Sequence, residues 1–167
     1  MAIKTSSKKN KFSGYFIVYS VLIVIVSMRL HAEQSQTLEM NEWLKARFSD
    51  QHQALIPVVA VADMLYSCQQ EKQIEPSLSI KLLVTTLDKN TLAEKLMTCL
   101  AGQSPQSELA LNYGLKGCFS AQFSSLTATE KQQKMHLVTK AIAGLSRSER
   151  QKSFTQCVTE QSIHYLR

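Results

Sequence analysis

No acidic residue precedes Glu33, only 5 glycines and 3 prolines occur in 167 residues, and nowhere do apolar and polar residues alternate over the length of a strand. The shortage of turn formers and of period-two patterning argues against a sheet domain and leaves helices as the material of the fold. No Cys-x-x-Cys occurs, so the signatures of a thioredoxin-like exchange centre and of a zinc site with paired ligands are both missing. His52, His136 and His164 are each isolated, and none stands beside a cysteine in the sequence. Gly144, Ser146 and their neighbours resemble a nucleophile elbow only on the surface, because the second glycine is absent and the stretch follows a helical pattern rather than a strand. The chain is therefore read as non-catalytic, with no cofactor and no metal.

The absence of early acids has a counterpart in what is there. Lys4, Lys8, Lys9 and Lys11 precede an almost unbroken apolar run over residues 15–28, and Leu30-His31-Ala32 puts a small residue just before Glu33. Residues 1–32 are read as an export signal cut after Ala32; the alternative is an uncleaved anchor, since residues 14–30 approach the minimum for a membrane span. In either case the lysines stay on the cytoplasmic side and the remainder is exported. Five of the 19 Lys and Arg lie before Glu33 while all 13 Asp and Glu lie from it onward, so the exported part carries 14 minus 13, or +1. Nucleic-acid binding thereby loses its compositional support. The exported charge is uneven, with 6 basic and 10 acidic groups over residues 33–115 against 8 and 3 over residues 116–167. Solvated helix faces of differing sign account for this, and a partner surface steered by the basic end is the functional alternative, with Arg147 and Arg150 as its candidate contacts.

All four cysteines, Cys68, Cys99, Cys118 and Cys157, lie in the exported part, where an even count reads as two disulfides. Three pairings are open. Locality favours Cys68 with Cys99 and Cys118 with Cys157, and each such bridge restricts the unfolded chain by about 3 to 4 kcal/mol in the chain-entropy model. Residues 87–99 and 145–157 share a layout: Leu, a capping residue, a basic residue, a short helical pattern, then Cys. Over residues 77–99 and 135–157 only Leu87 with Leu145 and Cys99 with Cys157 are identical, so the similarity is one of pattern. It suggests two similar disulfide-stapled helical units.

Helical spacing runs the length of the exported part. Met40, Trp43, Leu44, Arg47 and Phe48 make a first amphipathic helix, and residues 49–53 read as a polar link. Pro57 opens a second helix that is apolar nearly all round over residues 58–66. Pro76 opens a third, Asp88 or Asn90 caps a fourth, and residues 103–107 are the candidate boundary between halves. A fifth leads to Cys118, and the capping boxes Thr127 to Glu130 and Ser146 to Glu149 open the last two. The expectation is an all-α compact bundle of six to seven short helices behind the N-terminal signal or anchor, forming one exported domain over residues 33–167.

Within this pattern three features invite a function. Asp63 is an acid in an apolar helix; a solvent-facing stripe is the favoured reading, and a buried functional acid is the alternative. Glu71 and Glu75 are four apart, but their polar stretch reads as a solvated linker. Trp43 and Phe48 are either a partner-binding anchor or core residues of the first helix. Exported, small, helical and catalytically bare, the chain is expected to be a periplasmic binding protein of the bacterial envelope. Its partner would be another envelope or secreted protein, as for an immunity or inhibitor protein or a secretion or pilus assembly factor. The general plan is similar to that of small periplasmic immunity proteins and helical pilotins in architecture, with no shared motif. A periplasmic stress chaperone is the alternative, and a small enzyme using Asp63 and His136 is the third reading. A homodimer is compatible with the first two, and membrane contact is expected only if residues 15–28 are retained.

Overall fold

A computed structural model describes the backbone of residues 13–74 and 78–166 and the side chains from residue 39 onward, apart from those gaps. The lysine-rich start and the side chains of the apolar run lie outside the described residues, and with them the export-signal reading of residues 1–32; so does Pro76. Among the described residues there are six helices and no strand: α1 Ser13–Lys72, α2 Ile80–Thr86, α3 Lys89–Leu100, α4 Glu108–Gln122, α5 Ala128–Gly144 and α6 Arg147–His164. The chain is all-α, as its composition and periodicity require. It divides into two compact units, Met1–Phe48 and Ser49–Arg167.

The count among the described residues is six, the lower end of the expected six to seven, because the first two expected helices are one. Residues 49–53 are helical, and Pro57 lies inside α1 instead of opening a new helix. Proline removes one backbone donor and crowds the preceding turn, at a cost of about 3 kcal/mol in a helix interior. Packing on its C-terminal side offsets that cost. Val58, Val59, Ala62, Leu65 and Cys68 follow Pro57 directly and are all buried. On its N-terminal side, half-buried His52 lies with Nε2 2.9 Å from the carbonyl oxygen of Thr159 on α6. Apart from His52, the polar residues of the expected link are exposed on the helix, so polarity there marks an exposed turn and not a break. The stretch around Glu71 is likewise helical to Lys72, and the Glu71 carboxylate pairs with Lys116 of α4 at 2.6 Å and accepts from the Tyr113 hydroxyl at 3.3 Å.

In the second unit α1 is the central helix, because its apolar positions point both ways. Val58, Ala62 and Leu65 join Leu83 of α2, Leu92 and Leu96 of α3 and Tyr113 of α4 in one cluster. Val59 turns to the other side and joins Leu111 and Leu115 of α4, Ile142 of α5 and Phe154 and Val158 of α6 in a second. α4 comes against α1 backbone to backbone. A Cβ on Gly117 would fall 2.2 Å from the carbonyl oxygen of Asp63, a contact that only glycine permits.

Both disulfides follow the local pairing, Cys68 to Cys99 with Cα atoms 6.2 Å apart and Cys118 to Cys157 with Cα atoms 6.3 Å apart. Cys68 lies near the end of α1 and Cys99 near the end of α3, whereas Cys118 and Cys157 lie within α4 and α6. Lys72 donates to the carbonyl of Cys99, adding a second tie across the first bridge.

Candidate protein-binding surface

Large apolar side chains leave water on folding wherever the chain can cover them. Among the described side chains of the first unit they do not. Met40, Trp43, Leu44 and Phe48 are 57%, 58%, 51% and 47% exposed, and their spacing of three, one and four residues along α1 puts them on one helix face. Around them Glu39, Glu42, Lys45 and Arg47 are exposed as well, so the face is an apolar strip with charges of both signs at its rim. Of the two readings open to Trp43 and Phe48, the core reading does not hold. A tryptophan more than half exposed beside three other apolar side chains has the make-up of an interface centre, where Trp is over-represented and a charged rim is usual.

Arg147 and Arg150 lie in the second unit, at the start of α6. Both guanidiniums bond the Glu108 carboxylate, and Arg147 also donates to the Gln106 carbonyl at 2.7 Å. Arg150 further reaches the Ile142 carbonyl at 3.5 Å. Together they tie the start of α6 to the start of α4, and the single Glu108 carboxylate neutralises one of their two positive charges. Glu108, in the first turn of α4 and unremarkable as a lone surface acid in the sequence, is the residue that holds them.

Asp63 is fully buried, against the expectation of a solvent-facing stripe. Desolvation raises its carboxyl well above the usual carboxylate range, opposed only by the hydrogen bond from Gln161. That bond runs from Gln161 Nε2 to Asp63 Oδ1 at 3.1 Å, while Asp63 Oδ2 has no partner. The ionisation of half-buried Tyr165, four residues further along α6, is pushed up by burial and by the nearby Asp63. Gln161 Oε1 lies 2.9 Å from Cys118 Sγ. A polar chain therefore runs from Asp63 through Gln161 to the Cys118 sulfur in the core. No family model, curated protein or solved structure matches this chain. Its function has to be argued from these residues alone.

Gln161 was the member of the chain that sequence reasoning passed over, although a signal was available. Cys157, Val158, Gln161, Ser162 and Tyr165 share one face of α6, and an amide on an otherwise inward stripe needs a buried polar partner. Asp63 was the unmatched acid. His136 and His164 are exposed, and among the described residues no group of three or more His, Cys, Asp or Glu side chains is placed to hold a metal ion. Among the same residues no helix is long and apolar enough to cross a membrane.

Proposed function

We propose that this chain is a non-catalytic binding protein of the bacterial envelope, exported to the periplasm and acting on another protein, as an immunity or inhibitor protein or an assembly factor of a secretion or pilus system does. The observation that carries the proposal is the exposed strip of Met40, Trp43, Leu44 and Phe48. Two disulfides suit an oxidising compartment, which supports export. The partner should offer an apolar hollow for the indole, rimmed by charges that complement Glu42 and Arg47.

Truncating a central interface tryptophan typically costs 2 kcal/mol or more, which is about a 30-fold loss of affinity. Trp43→Ala should therefore abolish recovery of a specific envelope protein by the tagged full chain, and leave the unfolding midpoint where it was, because the side chain is exposed. Recovery of the same protein by wild type and variant in equal yield would remove the proposal. A wild-type dimer that dissociates on the same substitution would assign the strip to a second copy instead.

A further inference from the structure

The second unit also holds a groove of about 770 Å³, within the range of roughly 300 to 1,000 Å³ that small-molecule sites occupy. Two other hollows measure about 410 and 300 Å³. The groove lies where the ends of α4 and α6 meet the end of α1, the start of α2 and the first turn of α5. Tyr66 and Tyr165 present aromatic surface to it, and its polar lining includes the buried side chains of Ser120 and Gln161. Among the described residues that line it, the basic groups are Lys81, Lys131 and His164 and the one carboxylate is Glu160.

We propose that this groove binds a small anionic amphiphile, its apolar body lying against Tyr66 and Tyr165 and its acid group met by Lys81 and Lys131. Three features carry the assignment. The balance of lysine over carboxylate favours an anion, since a cation or a neutral body would leave the second lysine without a complementary group. The tyrosines give an apolar body large flat surfaces and hydroxyls that reach water. The polar lining is also held in place before any ligand arrives: Gln161 bonds Asp63 at 3.1 Å, and Cys118 to Cys157 ties α4 to α6. A lining that does not have to be ordered on binding wastes less of the contact energy. The site lies wholly in the second unit and does not depend on the strip around Trp43.

The test uses two dyes of similar body and different charge, anilinonaphthalene sulfonate and neutral phenylnaphthylamine, titrated by fluorescence into the oxidised full chain. The sulfonate should bind at one site. Replacing both lysines, Lys81→Gln with Lys131→Gln, should weaken the sulfonate about tenfold, the scale of two partly exposed charge contacts, and leave the neutral dye unchanged. Tyr165→Ala should weaken both dyes. Absence of sulfonate binding to the folded chain, equal affinity in the double lysine variant, or a signal lost in Trp43→Ala and kept in the lysine variant would each overturn the assignment. The two lysines are rim residues, so matching circular dichroism and unfolding midpoints for that variant exclude misfolding as the cause.

Discussion

Leu87 with Asp88 and Leu145 with Ser146 turn the same corner. Leu87 has φ −97°, ψ 138° and Leu145 has φ −90°, ψ 143°; the caps that follow are Asp88 at φ −70°, ψ 158° and Ser146 at φ −63°, ψ 161°. In each case an extended leucine ends one helix, a capping side chain starts the next, and the bridging cysteine follows the cap by 11 residues. The halves differ in what surrounds that corner. The helix before it has 7 residues in α2 and 17 in α5, and the helix after it has 12 in α3 and 18 in α6. α3 stops one residue beyond Cys99, where Ala101 and Gly102 take positive φ. α6 runs on past Cys157 and so carries Gln161 and Ser162 into the core beside α1. The corner and the staple are a local device, and it is the extra turns of α6 that complete the polar chain from Asp63.

The largest test of this comparison is to open each staple in turn. Cys68→Ser with Cys99→Ser, and Cys118→Ser with Cys157→Ser, should each lower the unfolding free energy by about 3 to 4 kcal/mol in urea titrations. The bridges span 31 and 39 residues, a difference worth only about 0.2 kcal/mol on the same relation. A much greater loss for one pair would therefore show that the halves differ in native packing and not in loop length. Peptide mapping without reduction should return the same two pairs, and a Cys68 to Cys118 or Cys68 to Cys157 peptide would dissolve the two-unit picture.

Glycine substitutions in α4 come next. Gly117→Ala must push α4 away from the Asp63 backbone and should cost at least the 1 to 3 kcal/mol typical of overpacking. Gly114→Ala meets only the Phe154 ring, at 2.5 Å, and a ring can turn aside, so its cost should be smaller. Thermal unfolding of the two variants gives the order directly, and a reversed order would mean that α1 and α4 do not touch at Gly117.

The buried acid separates the halves by pH. Because burial raises the folded-state pKa of Asp63, its neutral form is the one the fold favours. The stability tied to it is complete below the unfolded value near 3.8 and is lost as pH rises through the folded value. Asp63→Asn should accordingly flatten the fall of the unfolding midpoint as pH rises above the ordinary carboxylate range and be the more stable protein at neutral pH. A slope equal to that of the wild type would place the carboxylate in water. The exposed caps act in the opposite sense. Hydrogen bonds from neighbouring hydroxyls and amides lower Asp88, Glu130 and Glu149, so their contribution is kept above the ordinary carboxylate range and lost as pH falls through their folded values.

The smallest expected effect is at the corner itself. Ser146→Ala removes the side chain that accepts from the Glu149 amide at 3.3 Å and should cost about 1 kcal/mol, read as a small drop in the unfolding midpoint. Thr127→Ala, which breaks the same box one helix earlier, should match it.

Much of the fold was readable because it rests on neighbours in sequence. The hydroxyl and glutamate three residues apart at Thr127 and Ser146 form their capping boxes as expected, and the apolar circumference of residues 58–66 is that of a central helix. Other features depended on segments far apart along the chain. Pro57 reads as a helix start until the packing of Val58, Val59 and Leu65 is known. Asp63 reads as solvent-facing until Gln161, 98 residues away, is brought to it. Trp43 and Phe48 fit a core or an interface equally well, since a hydrophobic face records only that something should cover it.

By itself, the sequence determined the all-helical class and the capping boxes at Thr127 and Ser146, because each follows from contacts within a turn; of the three cysteine pairings it left open, the tertiary structure takes the local one. The tertiary structure alone decided which apolar face stays exposed, that Arg147 and Arg150 are held by Glu108, and that Asp63 is buried against Gln161. Those outcomes depend on which helix lies against which, and no local pattern carries that information.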